Sequence, residues 1–220
     1  STIKISGDDA VSLHVDYTGI PTKEQICKGK SCLIGFNLRL KSYNANCDKY
    51  VQPVLDALQL VAKNVNAQLV FICSDFTSHK ESDLATAKRI KAMLGEEADV
   101  FLVDRELEPE QIKGLVSLCD LVIAQSFHIL VFALTTQTPA VGIYNCEYYK
   151  TKIDGLFDFA GIPEGAVDLR EMAEEKLHEK ILSLYRQLNL QEKLETGFSN
   201  WTELRKKWIK EIKYVLEPLL

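Results

Sequence analysis

Apolar runs of strand character alternate with helix-spaced patterns along most of this chain. CLIGFNL (32–38) is apolar at successive positions, which predicts a buried strand. DKYVQPVLDALQLVAKNV (48–65) repeats apolar residues every three or four positions and predicts a helix, with Pro53 in its first turns. AQLVFIC (67–73) predicts a second strand, SDLATAKRIKAML (82–94) a helix that Ser82 can cap, and DVFLV (99–103) a third strand. EPEQIKGLVSLC (108–119) predicts a helix with Pro109 near its first position, where a missing N–H costs nothing. DLVIA (120–124) follows as a strand, FHILVFALTTQ (127–137) as a short apolar helix and PAVGIY (139–144) as another strand. KTKIDGLFDFAGI (150–162) predicts a helix and GAVDL (165–169) a sixth short strand. REMAEEKLHEKILSLYRQLNL (170–190) and NWTELRKKWIKEIKYVLEPLL (200–220) predict long amphipathic helices. The last carries Trp201, Leu204, Trp208, Ile212 and Val215 as a stripe that must be covered.

Wholly apolar strands separated by helices belong to a parallel sheet covered on both faces. The expected fold is therefore α/β: a doubly wound, Rossmann-like parallel sheet of about six strands flanked by helices. Residues 1–30 fit this rhythm less well, with one possible strand and then a polar, loop-like stretch. They are expected to be a lead-in or linker, with the α/β domain and its C-terminal amphipathic helices over 31–220.

Composition narrows the function. The 220 residues are 46% hydrophobic and 26% charged, with a formal net charge of -5. A mildly acidic chain without a basic block gives no reason to expect nucleic acid as the main partner. No apolar run approaches the roughly 20 residues of a membrane span, so no transmembrane segment is expected. The N-terminus lacks a basic-then-apolar leader pattern. The six cysteines form no C-x-x-C pair, and no histidine stands at zinc-ligand spacing, so reduced thiols and no metal are expected. The adjacent carboxylates Asp8 and Asp9 read as a turn rather than a metal site.

In open parallel sheets, ligands bind beyond the carboxyl ends of the strands. The first strand delivers Asn37 and Arg39 there, the second Ser74 and Asp75, the third Asp104 and Arg105. The fourth delivers Gln125, Ser126, Phe127 and His128, and the fifth Tyr144, Asn145 and Glu147. Ser126 stands at an N-cap position and His128 in the first helical turn, where free N–H groups and the helix dipole favour an anion. A histidine beside a bound anion is placed to protonate an anionic leaving group. The plainer readings are a simple cap and a ring bonded to backbone. Arg39, directly after a buried strand, offers a planar fork for a carboxylate or phosphate, or else a surface ion pair. Lys152 is a third cation, and by itself an ordinary surface lysine.

In their order and spacing these pieces resemble the polysaccharide pyruvyl transferase family. The likeness runs from SGDDAVSL (6–13) to GIPEGAVDL (161–169). It comprises the Gly-Asp-Asp-Ala segment, Asn37-Leu38-Arg39, the Ser126-Phe127-His128 turn, PAVGIY (139–144), and Lys152 to Gly155. The resemblance implies the C-terminal, donor-binding half of a GT-B-like, two-domain enzyme of bacterial exopolysaccharide or capsule biosynthesis. Such an enzyme moves a pyruvyl group from phosphoenolpyruvate to a sugar of a cell-surface polysaccharide and needs no cofactor. Arg39 would hold the donor's anionic groups and His128 would act as acid/base. Ser126, Phe127 and Asn37 would line the donor site, with Lys152 and Glu147 supporting. The implied partners are an N-terminal domain upstream of this chain, without which it should be inactive, and a glycan or lipid-linked sugar acceptor. The implied location is cytoplasmic, reaching the inner face of the membrane only through the acceptor. Two departures stand out: one family form has arginine where this chain has Ser126, and Ile129 replaces a small residue, narrowing the approach to the helix start.

Two further readings stay open. One is a GT-B-type nucleotide-sugar glycosyltransferase domain, in which Glu147 would take the ribose hydroxyls. The other is a degenerate, non-catalytic α/β binding domain.

Overall fold

The structure, a computed structural model, describes residues 8–39, 47–77, 82–95, 99–103 and 105–187. The amphipathic helix expected over 200–220, the end of the helix expected over 170–190, and Asp104 lie outside the described residues.

Six strands form one sheet: β1 (Cys32–Asn37), β2 (Ala67–Phe71), β3 (Val100–Leu102), β4 (Leu121–Ala124), β5 (Ala140–Tyr144) and β6 (Ala166–Asp168). Their order is β3-β2-β1-β4-β5-β6, and every neighbouring pair is parallel. This is the doubly wound Rossmann order, in which the chain reverses its direction of growth between β1 and β4. The helices are α1 (Lys23–Cys27), α2 (Cys47–Asn64), α3 (Asp83–Leu94), α4 (Pro109–Ser117), α5 (Phe127–Thr135), α6 (Glu147–Phe159) and α7 (Leu177–Arg186).

Successive strand residues face opposite ways, so each strand feeds two cores. Leu33, Val70 and Val122 pack with Ile26 of α1, Leu115 of α4, Leu130 of α5 and Ile153 of α6. Ile34, Leu69 and Ile123 pack with Leu55 of α2, Ile90 of α3 and Ile181 of α7. The central strand is tightly covered: a Cβ on Gly35 would lie 2.6 Å from Ile72 Cδ1 and 2.8 Å from Cys119 Sγ. Asp120 ties the amino edge together, accepting from Leu33 N at 2.8 Å and pairing with Lys23 Nζ at 2.7 Å.

The segment before β1 is more structured than its polar composition predicts. Asp8 caps a 3-10 turn (Asp9–Ser12), accepting from Ala10 N at 2.8 Å. Thr22 and Gln25 form a capping box that starts α1. Between them the chain runs across α4. Lys113, almost wholly buried, donates to Val11 O and Leu13 O at 3.0 and 2.8 Å. Burial pushes the Lys113 ammonium below its ordinary pKa. Asp16 N donates to Glu110 O at 3.1 Å, and Asp16 O lies 2.2 Å from where a Cβ on Gly114 would stand. Only a glycine on α4 lets the two backbones approach this closely.

The last described helix begins later than its periodicity predicts. Asp168 accepts from Arg170 N at 2.9 Å and its backbone oxygen from Glu171 N, so the chain turns before α7 can start at Leu177. A short acidic side chain closing a local turn competes with helix in this way. Conversely, α6 starts at Glu147, earlier than the expected residue 150, because the chain enters it directly from β5.

Candidate functional site at the switch point

The carboxyl ends of β1 and β4 lie side by side, and their residues bond to each other. Gln125 N donates to Asn37 O at 3.1 Å, and Arg39 N donates to Gln125 Oε1 at 2.8 Å. Asn37 is wholly buried; its Nδ2 donates to Ile72 O at 3.0 Å, and its Oδ1 has no protein partner. These bonds weld the two strand ends together at the point where ligands bind in this topology.

Arg39 crosses this junction. Its Nη2 donates to Ser126 Oγ and to Ser74 Oγ, both at 3.1 Å. Its side chain is only 16% exposed, and its Nε is buried without a protein partner. Ser74 donates to Asp83 Oδ2 at 2.8 Å, and Asp83 Oδ2 also accepts from Ser74 N at 2.9 Å. Asp83 is 1% exposed and lies 3.8 Å from Arg39 Nη2. Leu38, Tyr50, Val51, Val54 and Leu169 line a small recess beside Arg39 and Gln125.

Ser126 occupies the N-cap position of α5, but its side chain makes no capping bond. Its oxygen serves Arg39 instead, and no acidic residue stands in the first turn. The start of α5 thus has neither a side-chain cap nor an acid of its own in the first turn, and it stands next to a guanidinium. Ile129 is wholly buried in the core. It does not narrow the approach to the helix start, because three residues past the N-cap the helix turns it inward onto the sheet.

The remaining expected residues form two other groups. His128 is exposed at 61%, with Nε2 3.9 Å from Asp8 Oδ2. The Phe127 ring stands edge-on to it at 5.8 Å. Lys152 Nζ lies 5.9 Å from the Phe127 ring centre and donates to Tyr148 OH at 2.7 Å. Glu147 instead faces the turn after β6, accepting from Arg170 Nη1 at 2.8 Å. Arg170 also clasps Asp168 at 2.6 Å and holds that carboxyl below the usual carboxylate range. Lys150 pairs with Asp154 at 2.8 Å, which raises its pKa, while burial pushes the neighbouring Tyr144 up to about 12.

The structure therefore brings Arg39, Asn37 and Ser126 into one bonded group, with Phe127, His128 and Lys152 along the adjoining start of α5 and face of α6. It adds Asp83, which the sequence hides: an acid at the first position of a helix reads as a dipole complement. Among the described residues no group of three His, Cys, Asp or Glu side chains could hold a metal, and no helix is long and apolar enough to cross a membrane. Cys27, Cys32, Cys73, Cys119 and Cys146 are free thiols.

The fold is similar to solved structures of GT-B architecture. S. aureus MnaA, solved with UDP, superposes with a TM-score of 0.65 at 12% identity, over 97% of this chain and 54% of that one. The glycosyltransferase of kitacinnamycin gives 0.54 at 10% identity, over 87% and 44%. CalG4, the calicheamicin glycosyltransferase, gives 0.54 at 9% identity, over 86% and 43%. This chain thus spans about half the length of these structures, and identities this low carry the fold alone. The family is set by sequence: the model of polysaccharide pyruvyl transferases matches residues 2–147, which contain Arg39, Asp83, Ser126 and His128. This chain belongs to the polysaccharide pyruvyl transferase family.

Proposed function

We propose that this chain is the donor-binding half of a transferase that moves a pyruvyl group from phosphoenolpyruvate to a sugar of a cell-surface polysaccharide. The observation that carries the reading is the Arg39 guanidinium, held against Ser126 at the uncapped start of α5. A mostly buried cation beside helix amides that Ser126 does not cap suits a small, highly charged anion. Phosphoenolpyruvate has a phosphate and a carboxylate and no base or ribose, so it needs no Gly-rich loop. The family match supports the same donor.

In this chemistry His128, as general acid, protonates the enol carbon, and positive charge develops at the adjacent carbon. A sugar hydroxyl attacks that carbon and returns its proton to His128. The carbon–oxygen bond to phosphate then breaks. A second hydroxyl closes the ketal, and its proton leaves on inorganic phosphate. The exposure of His128 leaves it accessible to both substrates, and Arg39 and the α5 amides stabilise the charge gathering on the departing phosphate. The acceptor and the N-terminal half of the enzyme would close over this edge, so the chain alone should not turn over. Ser126 stands where one family form has arginine, and the Arg39 bond to its oxygen keeps a cation at that place.

A nucleotide-sugar transferase is the second reading, favoured by the structural likeness to MnaA, which was solved with UDP. The carboxylate it would need, Glu147, is engaged by Arg170. Thermal-shift measurements with phosphoenolpyruvate and with a panel of UDP- and GDP-sugars separate the two. Stabilisation by phosphoenolpyruvate supports the proposal; stabilisation by nucleotides alone overturns it.

A further inference from the structure

Asp83 poses a problem that its place in the fold does not explain. An acid at the first position of a helix is normally solvated and complements the dipole. This one is 1% exposed, and its Oδ1 has no protein partner. Holding the loop that leads into α3 would require only an acceptor for Ser74 N, which asparagine supplies as well. A buried charge needs a buried counter-charge. The counter-charge is Arg39, 3.8 Å away and itself mostly buried.

The hydrogens make the link directional. Ser74 has one hydroxyl proton, and it donates to Asp83 Oδ2 at 2.8 Å. The Ser74 oxygen must therefore accept from Arg39 Nη2, at 3.1 Å. The second Nη2 proton goes to Ser126 Oγ, also at 3.1 Å. Both protons of this nitrogen are spent inside the protein, one toward α3 and one toward α5. The guanidinium is consequently pinned from two sides at the switch point before any ligand arrives. A carboxylate at the far end strengthens such a chain, since each hydrogen bond polarises the next.

We propose that Asp83, acting through Ser74, is the positioning residue of Arg39: it fixes the plane of the guanidinium against Ser126 in the orientation that receives the donor's anionic group. The proposal rests on the reading of this edge as the donor site. It adds a residue of β2–α3 to a site otherwise built from β1, β4 and α5. Asp83 does not touch the donor; its effect passes through one hydroxyl.

The test uses this chain with two variants, Asp83→Asn and Ser74→Ala, so that one remains if the other fails to fold. The first readout needs no ligand: arginine side-chain NMR of Arg39, in which a pinned guanidinium shows separate Nη proton signals and a rotating one shows averaged signals. The second is titration with phosphoenolpyruvate and with inorganic phosphate, alongside the melting temperature. The wild type should show separate Arg39 signals and both variants averaged ones. Phosphoenolpyruvate affinity should fall about tenfold or more, as expected when a charge-assisted contact loses its alignment. Unchanged Arg39 signals in both variants overturn the proposal. So does tighter anion binding by Asp83→Asn, which would make Asp83 a mere counter-charge. Averaging of the signals in variants of a chain that binds no phosphoenolpyruvate upholds the positioning role and refutes the donor reading instead.

Discussion

Arg39 Nη2 and Ser126 Oγ meet at 3.1 Å across the gap between β1 and β4, residues 87 positions apart in the chain. The contact explains two features at once. It takes the N-cap oxygen away from the α5 amides, leaving them for another acceptor, and it holds a cation at that helix start. Arg39→Lys should therefore weaken phosphoenolpyruvate binding by at least about tenfold, because an ammonium donates from a single point and cannot keep Ser74 and Ser126 while also reaching the anion from a second nitrogen. Calorimetric titration checks it. Equal affinity would mean that only charge matters.

Ser126→Ala should have a smaller effect. The variant loses a bond worth about 1 kcal/mol, while the α5 amides were never capped by this hydroxyl. The expectation is a small drop in melting temperature and a several-fold loss of anion affinity. A large loss of stability would show that Ser126 works as an ordinary cap.

Gly114→Ala should detach the segment that crosses α4. Its new Cβ would overlap the Asp16 carbonyl, a backbone atom that cannot rotate away. A cost of about 1–3 kcal/mol is expected, as for other overpacked sites. Amide hydrogen exchange of residues 10–20 should speed up more than that of β1 and β4. Uniform acceleration would contradict a local role for the close approach of Asp16 to Gly114.

Alkaline pH should destabilise the fold. Burial raises Cys73 to about 12 and pushes Cys119 and Cys27 upward as well. These thiols stay protonated in the folded chain at pH values where the unfolded chain has lost their protons. Their contribution is fully present below the unfolded thiol pKa and is lost as pH rises toward the folded value. Each fully shifted thiol lowers stability by about 1.4 kcal/mol per pH unit above pH ~9. Urea unfolding at several pH values between 8 and 11 should show this slope, and Cys119→Ala should flatten it. An unchanged slope in that variant would count against the burial argument.

The doubly wound sheet was legible because its strands are buried on both faces and read as unbroken apolar runs. CLIGFNL (32–38) and DLVIA (120–124) needed no turn chemistry to identify. Arg39 and Ser126 were legible because strand ends are where such folds bind ligands. Other features were not. The start of α1 was missed although its capping-box signal, Thr22 followed three residues later by Gln25, is in the sequence. Asp83 could not be found that way, since the burial of one carboxylate depends on contacts across three strands. The inward turn of Ile129 follows from helix phase and could have been read from the spacing.

The central claim is that phosphoenolpyruvate binds at the β1–β4 switch point. Two-dimensional NMR of the labelled chain, titrated with phosphoenolpyruvate, tests it most directly. The account predicts saturable shifts of the Arg39 side chain and of the Ser126, Phe127, His128 and Ile129 amides, abolished by Arg39→Ala. Shifts confined to other residues, or shifts at these positions with UDP-sugars and none with phosphoenolpyruvate, would contradict it.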